Sequence, residues 1–271
     1  MEFIELLKSV VIGIVQGITE WLPVSSTGHM ILLDEFIRLN VTDEFMEMFR
    51  VVIQLGSIFA VLLLYFDRLN PLSANKTPDE KQNVLLLWLK VVVAVIPAAV
   101  IGFLFDEKID ELFFNYRVVA VTLILYGILF LIVENRKRKS EITSLDKLDF
   151  KTALMIGGFQ VLSLIPGTSR SGATILGAIL LGTSRKTAAE FSFFLAIPVM
   201  FGASFLKLVK FGFNLSGNEW SVLITGFITA FAVSVFAIKF LMNFIKNRDF
   251  KPFGYYRIIL GIIVLAYFVF S

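Results

Sequence analysis

Apolar residues gather along the chain in eight runs, six of them long and nearly uninterrupted. The long runs cover 49–66, 88–105 and 118–133 in the first half and 191–206, 221–244 and 257–270 in the second. A helix of roughly 20 apolar residues crosses about 30 Å of hydrocarbon, so this pattern predicts six transmembrane helices. The other two runs, 9–33 and 152–182, are broken by Pro23-Val24-Ser25-Ser26-Thr27-Gly28 and by Pro166-Gly167-Thr168-Ser169-Arg170-Ser171-Gly172. Only eleven residues separate Lys8 from Glu20, too few for a span. Irregular backbone at membrane depth is tolerated only where protein or a wet cavity satisfies it, so both broken runs read as re-entrant helical hairpins. The expected fold class is therefore an all-α integral membrane protein.

The two halves repeat. Gly13, Gln16, Pro23, Ser26 and Gly28 match Gly157, Gln160, Pro166, Ser169 and Gly172 at offsets of 143 or 144. Phe49 and Phe59 match Phe191 and Phe201 at 142, and Tyr116-Arg117 matches Tyr256-Arg257 at 140. Residues 1–139 and 140–271 are the expected repeats, each a hairpin followed by three spans. Three spans is an odd number, so the second repeat is inverted relative to the first. The basic residues agree: 67–90, 136–151, 183–190 and 245–257 hold sixteen lysines and arginines, against six in 34–50, 106–117 and 207–220. By the positive-inside rule the first set is cytoplasmic, both termini face outward, and the broken run around Glu20 opens to the outer face.

Composition narrows the function classes. At 57% hydrophobic and 17% charged, with a mean hydropathy of +0.81, a soluble enzyme is excluded. Membrane lipids are the expected surroundings, and nucleic acid is not an expected partner at a net charge of +3. The absence of cysteine removes disulfides, iron–sulfur clusters and thiol catalysis, and a single histidine leaves no structural zinc site. Lys8 inside the first run, with no small-residue cleavage site after it, argues against a cleaved signal peptide. The 29 phenylalanines read as lipid-facing bulk.

The strongly polar residue types then collect in the two broken runs. The first offers Gln16 and Glu20, four apart on one helical face, followed by Ser25, Ser26, Thr27 and the lone His29. The second offers Ser169, Arg170, Ser171 and Thr174 between glycines. A carboxylate, an imidazole, a guanidinium and a set of hydroxyls suit an anionic, oxygen-rich ligand. Arginine binds phosphoryl oxygens through a planar fork, and glycine-rich turns opening a helix bring N–H groups and a positive dipole end to an anion. Glu20 can hold a divalent cation or act as a base, and His29 can shuttle a proton near neutral pH. A helix resumed after Pro23 would put Ser26 and His29 on one face, within hydrogen-bonding reach, as a nucleophile with its base. The plainer alternatives stay open: Glu20 and Arg170 neutralising each other, hydroxyls bonding backbone, Gln16 and Gln160 as symmetric helix glue.

The stretches QGITEWLPVSSTGHM (16–30) and PGTSRSGAT (166–174), with VIQLGSI at 52–58 and EFSFFLAIP at 190–198, resemble the undecaprenyl-diphosphate phosphatase, or bacitracin-resistance, family along the whole chain. The resemblance implies a plasma-membrane enzyme that hydrolyses a C55 isoprenyl diphosphate to the monophosphate. It thereby recycles the lipid carrier of peptidoglycan synthesis, with consequences for cell shape and antibiotic resistance. It implies Glu20, Ser26, His29 and Arg170 as the catalytic set, with Gln16, Ser25, Thr27, Ser169, Ser171 and Thr174 around the substrate. It further implies magnesium or calcium bound jointly by the diphosphate and Glu20. The family carries glutamate or glutamine at the position of Gln16, and glutamine weakens a two-carboxylate metal site. A second copy of the chain is a candidate partner. The competing class is a secondary transporter or flippase for an isoprenyl phosphate lipid, because inverted repeats with broken helices are a transporter architecture. Direct attack by water competes with attack by Ser26.

Overall fold

The computed structural model describes residues 2–136, 140–212 and 215–270, which form eleven α-helices and no extended strand. Lys137, Arg138 and Lys139 of the basic loop, and with them the expected boundary at 139–140, lie outside the described residues. The helices are α1 (Glu2–Thr19), α2 (Ser26–Phe36), α3 (Asp43–Leu64), the single turn α4 (Phe66–Leu69), α5 (Pro78–Phe113) and α6 (Tyr116–Asn135). They continue as α7 (Phe150–Val161), α8 (Arg170–Leu180), α9 (Arg185–Phe211), α10 (Gly217–Asn247) and α11 (Lys251–Phe270). Among the described residues six helices, α3, α5, α6, α9, α10 and α11, are long and apolar enough to cross a membrane. They coincide with the six apolar runs.

The helices outrun those runs because their ends are set by caps rather than by hydropathy. Side chains of Thr42, Asn115, Asp149 and Ser184 accept from the N–H three residues on, and Ser216 and Glu219 form a reciprocal capping box. Pro78 opens α5 in the first turn, where its missing N–H is not needed.

Each broken run folds back on itself. Lys8 Nζ donates to Arg38 O at 2.7 Å and Asn40 N to Glu5 Oε2 at 2.8 Å, which fastens the far end of α2 beside α1. In the second run a 3₁₀ turn, Leu162–Leu164, follows α7. The end of α8 then meets the strand-like residues ahead of α7, with Ile142 N donating to Gly182 O at 3.1 Å and Ser184 N to Ile142 O at 2.8 Å.

Small residues let these helices pack backbone to backbone. α1 lies on α10 with Gly13 and Gly17 against the carbonyls of Gly226 and Ala230, and α7 lies on α5 with Gly157 against the carbonyl of Ala94. α6 and α11 embrace reciprocally, Gly127 against Gly254 O and Gly261 against Ala120 O. A methyl group at Gly157 would overlap the Ala94 carbonyl, whereas one at Gly158 meets nothing within 4 Å. Gly157→Ala is therefore expected to destabilise by about 1–3 kcal/mol, as overpacking does, and to lower the melting temperature in detergent. Gly158→Ala should instead raise it slightly, since alanine in an unobstructed helix position is favoured over glycine by about 0.5–1 kcal/mol.

Two sequence readings are corrected here. Phenylalanine is not only lipid-facing bulk: Phe103, Phe205 and Phe236 are exposed on the apolar surface, but Phe45, Phe49, Phe130, Phe191, Phe193, Phe194 and Phe250 are fully buried. The second correction concerns Arg257, counted above among the cytoplasmic loop cations, whose surroundings are unlike those of Arg117. Tyr116 stacks on Phe268 with Arg117 beside it at the surface, while Arg257 is wholly buried in the centre of the molecule.

Candidate active site

Both helix breaks are built around a serine in an unusual conformation. Ser25 and Ser169 are the non-glycine residues with positive φ among the described residues, at 72° and 71°. Each is an N-cap whose hydroxyl accepts from a glycine N–H three residues later, Gly28 at 3.3 Å and Gly172 at 3.1 Å. Such backbone costs about 1–3 kcal/mol and persists where its surroundings impose it. The pairing also shifts the sequence alignment by one residue: Ser25 corresponds to Ser169, so Ser26 and Arg170 are each the first residue of a helix.

The two breaks meet. Arg170 Nη2 donates to Glu20 Oε1 at 2.9 Å, and Gln16 Nε2 donates to Glu20 Oε2 at 2.8 Å. The Arg170 and Glu20 side chains are 11% and 6% exposed, so this is a buried charge pair. Arg170 Nη1 donates to Ser192 O at 2.7 Å, its guanidinium stacks 5.6 Å over the ring of Trp21, and its Nε–H has no partner among the described residues. Thr174 Oγ1 lies 2.7 Å from Ser192 Oγ. Ser171 Oγ sits 3.2 Å from both Glu20 O and Ser169 Oγ. Gln16, Glu20, Ser169, Arg170, Ser171 and Thr174 thus form one connected cluster.

Ser25 and His29 form a second group. His29 Nδ1 contacts Ser25 O at 2.8 Å, and because a carbonyl can only accept, Nδ1 carries the proton. Nε2 is then an acceptor for the Tyr256 hydroxyl at 2.7 Å, with the two rings stacked at 5.6 Å. The expected Ser26–His29 hydrogen bond is not formed: Tyr256 occupies the position the serine was assigned. Ser26 and Thr27 are partly exposed, and neither hydroxyl has a hydrogen-bond partner among the described residues. Gln160 does not behave as a twin of Gln16. It is buried with both amide atoms unpartnered, for position 164 is leucine where position 20 is glutamate.

Arg257 joins the two halves of the site. From α11 its guanidinium donates to Pro23 O at 3.2 Å in the first break and to Gly167 O and Thr168 O, both at 2.9 Å, in the second. Tyr126 lies 5.4 Å beneath it. Sequence reading missed this role by counting Arg257 among loop cations, and polar types are not confined to the broken runs. The one available signal was an arginine seven residues inside an apolar helix. Ser192, Tyr256 and Trp21 lie in stretches the sequence reading used for the repeat or the resemblance, but nothing there marked them as part of the site.

The donor set does not make a cage for a cation. Glu20 is the only carboxylate in the cluster, both its oxygens are engaged, and no group of three or more metal-binding side chains exists among the described residues. For the magnesium or calcium implied by the resemblance, the described residues of the cluster therefore offer one carboxylate, Glu20.

Fold and site together define a multi-pass helical membrane protein with a buried arginine–carboxylate centre where two helices begin. Over residues 9–263 the chain matches the family described as bacitracin resistance protein BacA, and it belongs to that family. It is 63% identical to the undecaprenyl-diphosphatase of Acetivibrio thermocellus over 98% of both chains. It is 59% identical to undecaprenyl-diphosphatase 1 of Clostridioides difficile, over 98% of this chain and 97% of that one. With the undecaprenyl-diphosphatase of Enterococcus faecalis it shares 57% identity over the full length of both.

Proposed function

We propose that the protein is a membrane phosphatase that hydrolyses undecaprenyl diphosphate to undecaprenyl phosphate and inorganic phosphate, recycling the lipid carrier of the cell wall. The observation that carries this reading is Arg170. It opens a helix, is paired to Glu20, and keeps one buried N–H unspent. Such a group binds a phosphoryl oxygen at a helix N-terminus, where the dipole favours negative charge. Ser26 opens the other helix with an unpartnered hydroxyl. In this reading Ser26 attacks the terminal phosphorus, the bond to the lipid phosphate breaks, and water then releases phosphate from the serine. His29 Nε2 takes the serine proton after exchanging the Tyr256 hydroxyl for Ser26, and Arg170 stabilises the charge that develops on the phosphoryl oxygens. A divalent cation would arrive with the diphosphate and take most of its ligands from it, so no step is assigned to it.

Release of phosphate from an isoprenyl diphosphate by purified protein in detergent tests the activity, since a transporter or flippase has no readout without two compartments. Rapid quenching with labelled diphosphate tests the nucleophile. Acid-stable label on Ser26, absent from Ser26→Ala, is the expected result; single-step inversion at phosphorus with no trapped label would assign the attack to water.

We further propose that the folded-back segments α1–α2 and α7–α8 are re-entrant, that the two halves are inverted repeats, and that the site opens to the outer face of the plasma membrane. The reciprocal glycine contacts and the twin serine caps support the repeat. The excess of basic residues survives the loss of Arg257 to the interior, which supports the orientation. Single cysteines at the exposed Asn40 and Asn218 should react with an impermeant thiol reagent in intact cells, and one at Ser140 should not. The opposite pattern would reverse the topology.

A further inference from the structure

A polar cavity lies at the opposite end of α8 from Arg170. It holds about 530 Å³ and sits where the end of α6, the start of α9 and the end of α10 converge. α8 has eleven residues, so at 1.5 Å per residue the cavity lies roughly 15 Å from the catalytic centre.

Four basic side chains line this cavity, Arg136, Arg185, Lys186 and Lys246, against one carboxylate, Glu134. That carboxylate is fully engaged: Arg185 Nε and Nη2 reach its Oε2 at 3.1 and 2.5 Å, and Phe250 N donates to its Oε1 at 3.1 Å. Two further acids lie on this side: Asp249, which pairs with Lys251 at 3.5 Å, and Glu141, which follows Ser140 of the lining and is itself partnered. Among the described residues Arg136, Lys186 and Lys246 have no ion-pair partner. Thr183, 3% exposed and also lining the cavity, has a hydroxyl without a hydrogen-bond partner. α9 begins at this point behind its Ser184 cap, directing the positive end of its dipole here. The remaining wall is apolar, with Ile179, Met242 and Ile245. The uncompensated cations all sit at the ends of membrane-length helices, the level of lipid headgroups.

We propose that this cavity binds a phosphate group, at a site separate from the catalytic centre. Three cations with no ion-pair partner among the described residues supply the attraction, and a helix start adds N–H donors. The apolar wall fits the glycerol and upper acyl segments of an anionic phospholipid; free inorganic phosphate carries the same charge without them.

The test uses the full-length protein. Binding of phosphatidylglycerol is followed by native mass spectrometry, and binding of inorganic phosphate by calorimetry in nanodiscs of zwitterionic lipid. The double variant Lys186→Gln/Lys246→Gln should bind one of these probes roughly tenfold more weakly or worse, with an unchanged rate of phosphate release showing that it is folded. Arg170→Lys should retain the binding that the double variant loses, whatever phosphate it no longer holds at the catalytic centre. Loss of the lipid alone identifies a headgroup site, and loss of inorganic phosphate identifies a free-anion site. Equal binding of both probes by wild type and double variant, or a loss seen only with Arg170→Lys, would overturn the proposal.

Discussion

Arg170→Lys is expected to slow phosphate release roughly a hundred- to thousandfold while leaving the fold intact. The guanidinium does three things at once: one N–H group holds Glu20, another holds the Ser192 carbonyl, and the plane stacks on Trp21. Lysine keeps the charge and can keep the contact to Glu20, but a single ammonium cannot reach Ser192 and present a fork to phosphate in the same pose. Loss of one oriented donor to a developing oxyanion costs about 2.7–4 kcal/mol of barrier, which is the fall anticipated. The separation of kcat from melting temperature is the check. Full activity in the lysine variant would leave Arg170 with a purely structural role.

Glu20→Gln should be more damaging, because it removes function and stability together. Breaking a buried charge pair from one side leaves the other charge uncompensated, at about 3–5 kcal/mol. Here the stranded group would be Arg170, 11% exposed and already short of a partner at Nε. No phosphate release and a markedly lower melting temperature are expected. Gln16→Glu should retain most activity. It replaces the amide donor to Glu20 with a second carboxylate, and a shared proton or a divalent cation can then bridge the two. A fully active Glu20→Gln protein would show that the carboxylate serves neither the arginine nor the chemistry.

What the sequence revealed of this site follows from how each residue contrasts with its neighbours. Glu20 and Arg170 stand out because a charge in an apolar segment too short to span needs a reason, and the six spans were equally plain as uninterrupted apolar runs. Arg257 was hidden by position, near enough to the basic residues that open α11 to pass for one of them. Tyr256 was hidden by its type, since an aromatic residue near a helix end reads as an interfacial anchor. The bond between His29 and Tyr256 joins residues 227 positions apart, and nothing in the spacing of Ser26 and His29 could announce that competitor. The one-residue slip in the repeat had a physical source as well: letters align Ser26 with Ser169, whereas backbone conformation aligns the capping serines.

The position of Arg257 also gives the site an order of assembly. Both helix breaks emerge long before the last helix is made, and the guanidinium that ties Pro23 to Gly167 and Thr168 arrives only with α11. Synthesis runs from the N-terminus, so a chain still being translated carries Glu20 and Arg170 before the clamp that Arg257 adds across their two loops has been made. The last helix thus acts as a clasp: a chain truncated before α11 keeps the direct contacts of Arg170 and Ser171 to the first break and lacks the guanidinium that locks the two breaks together.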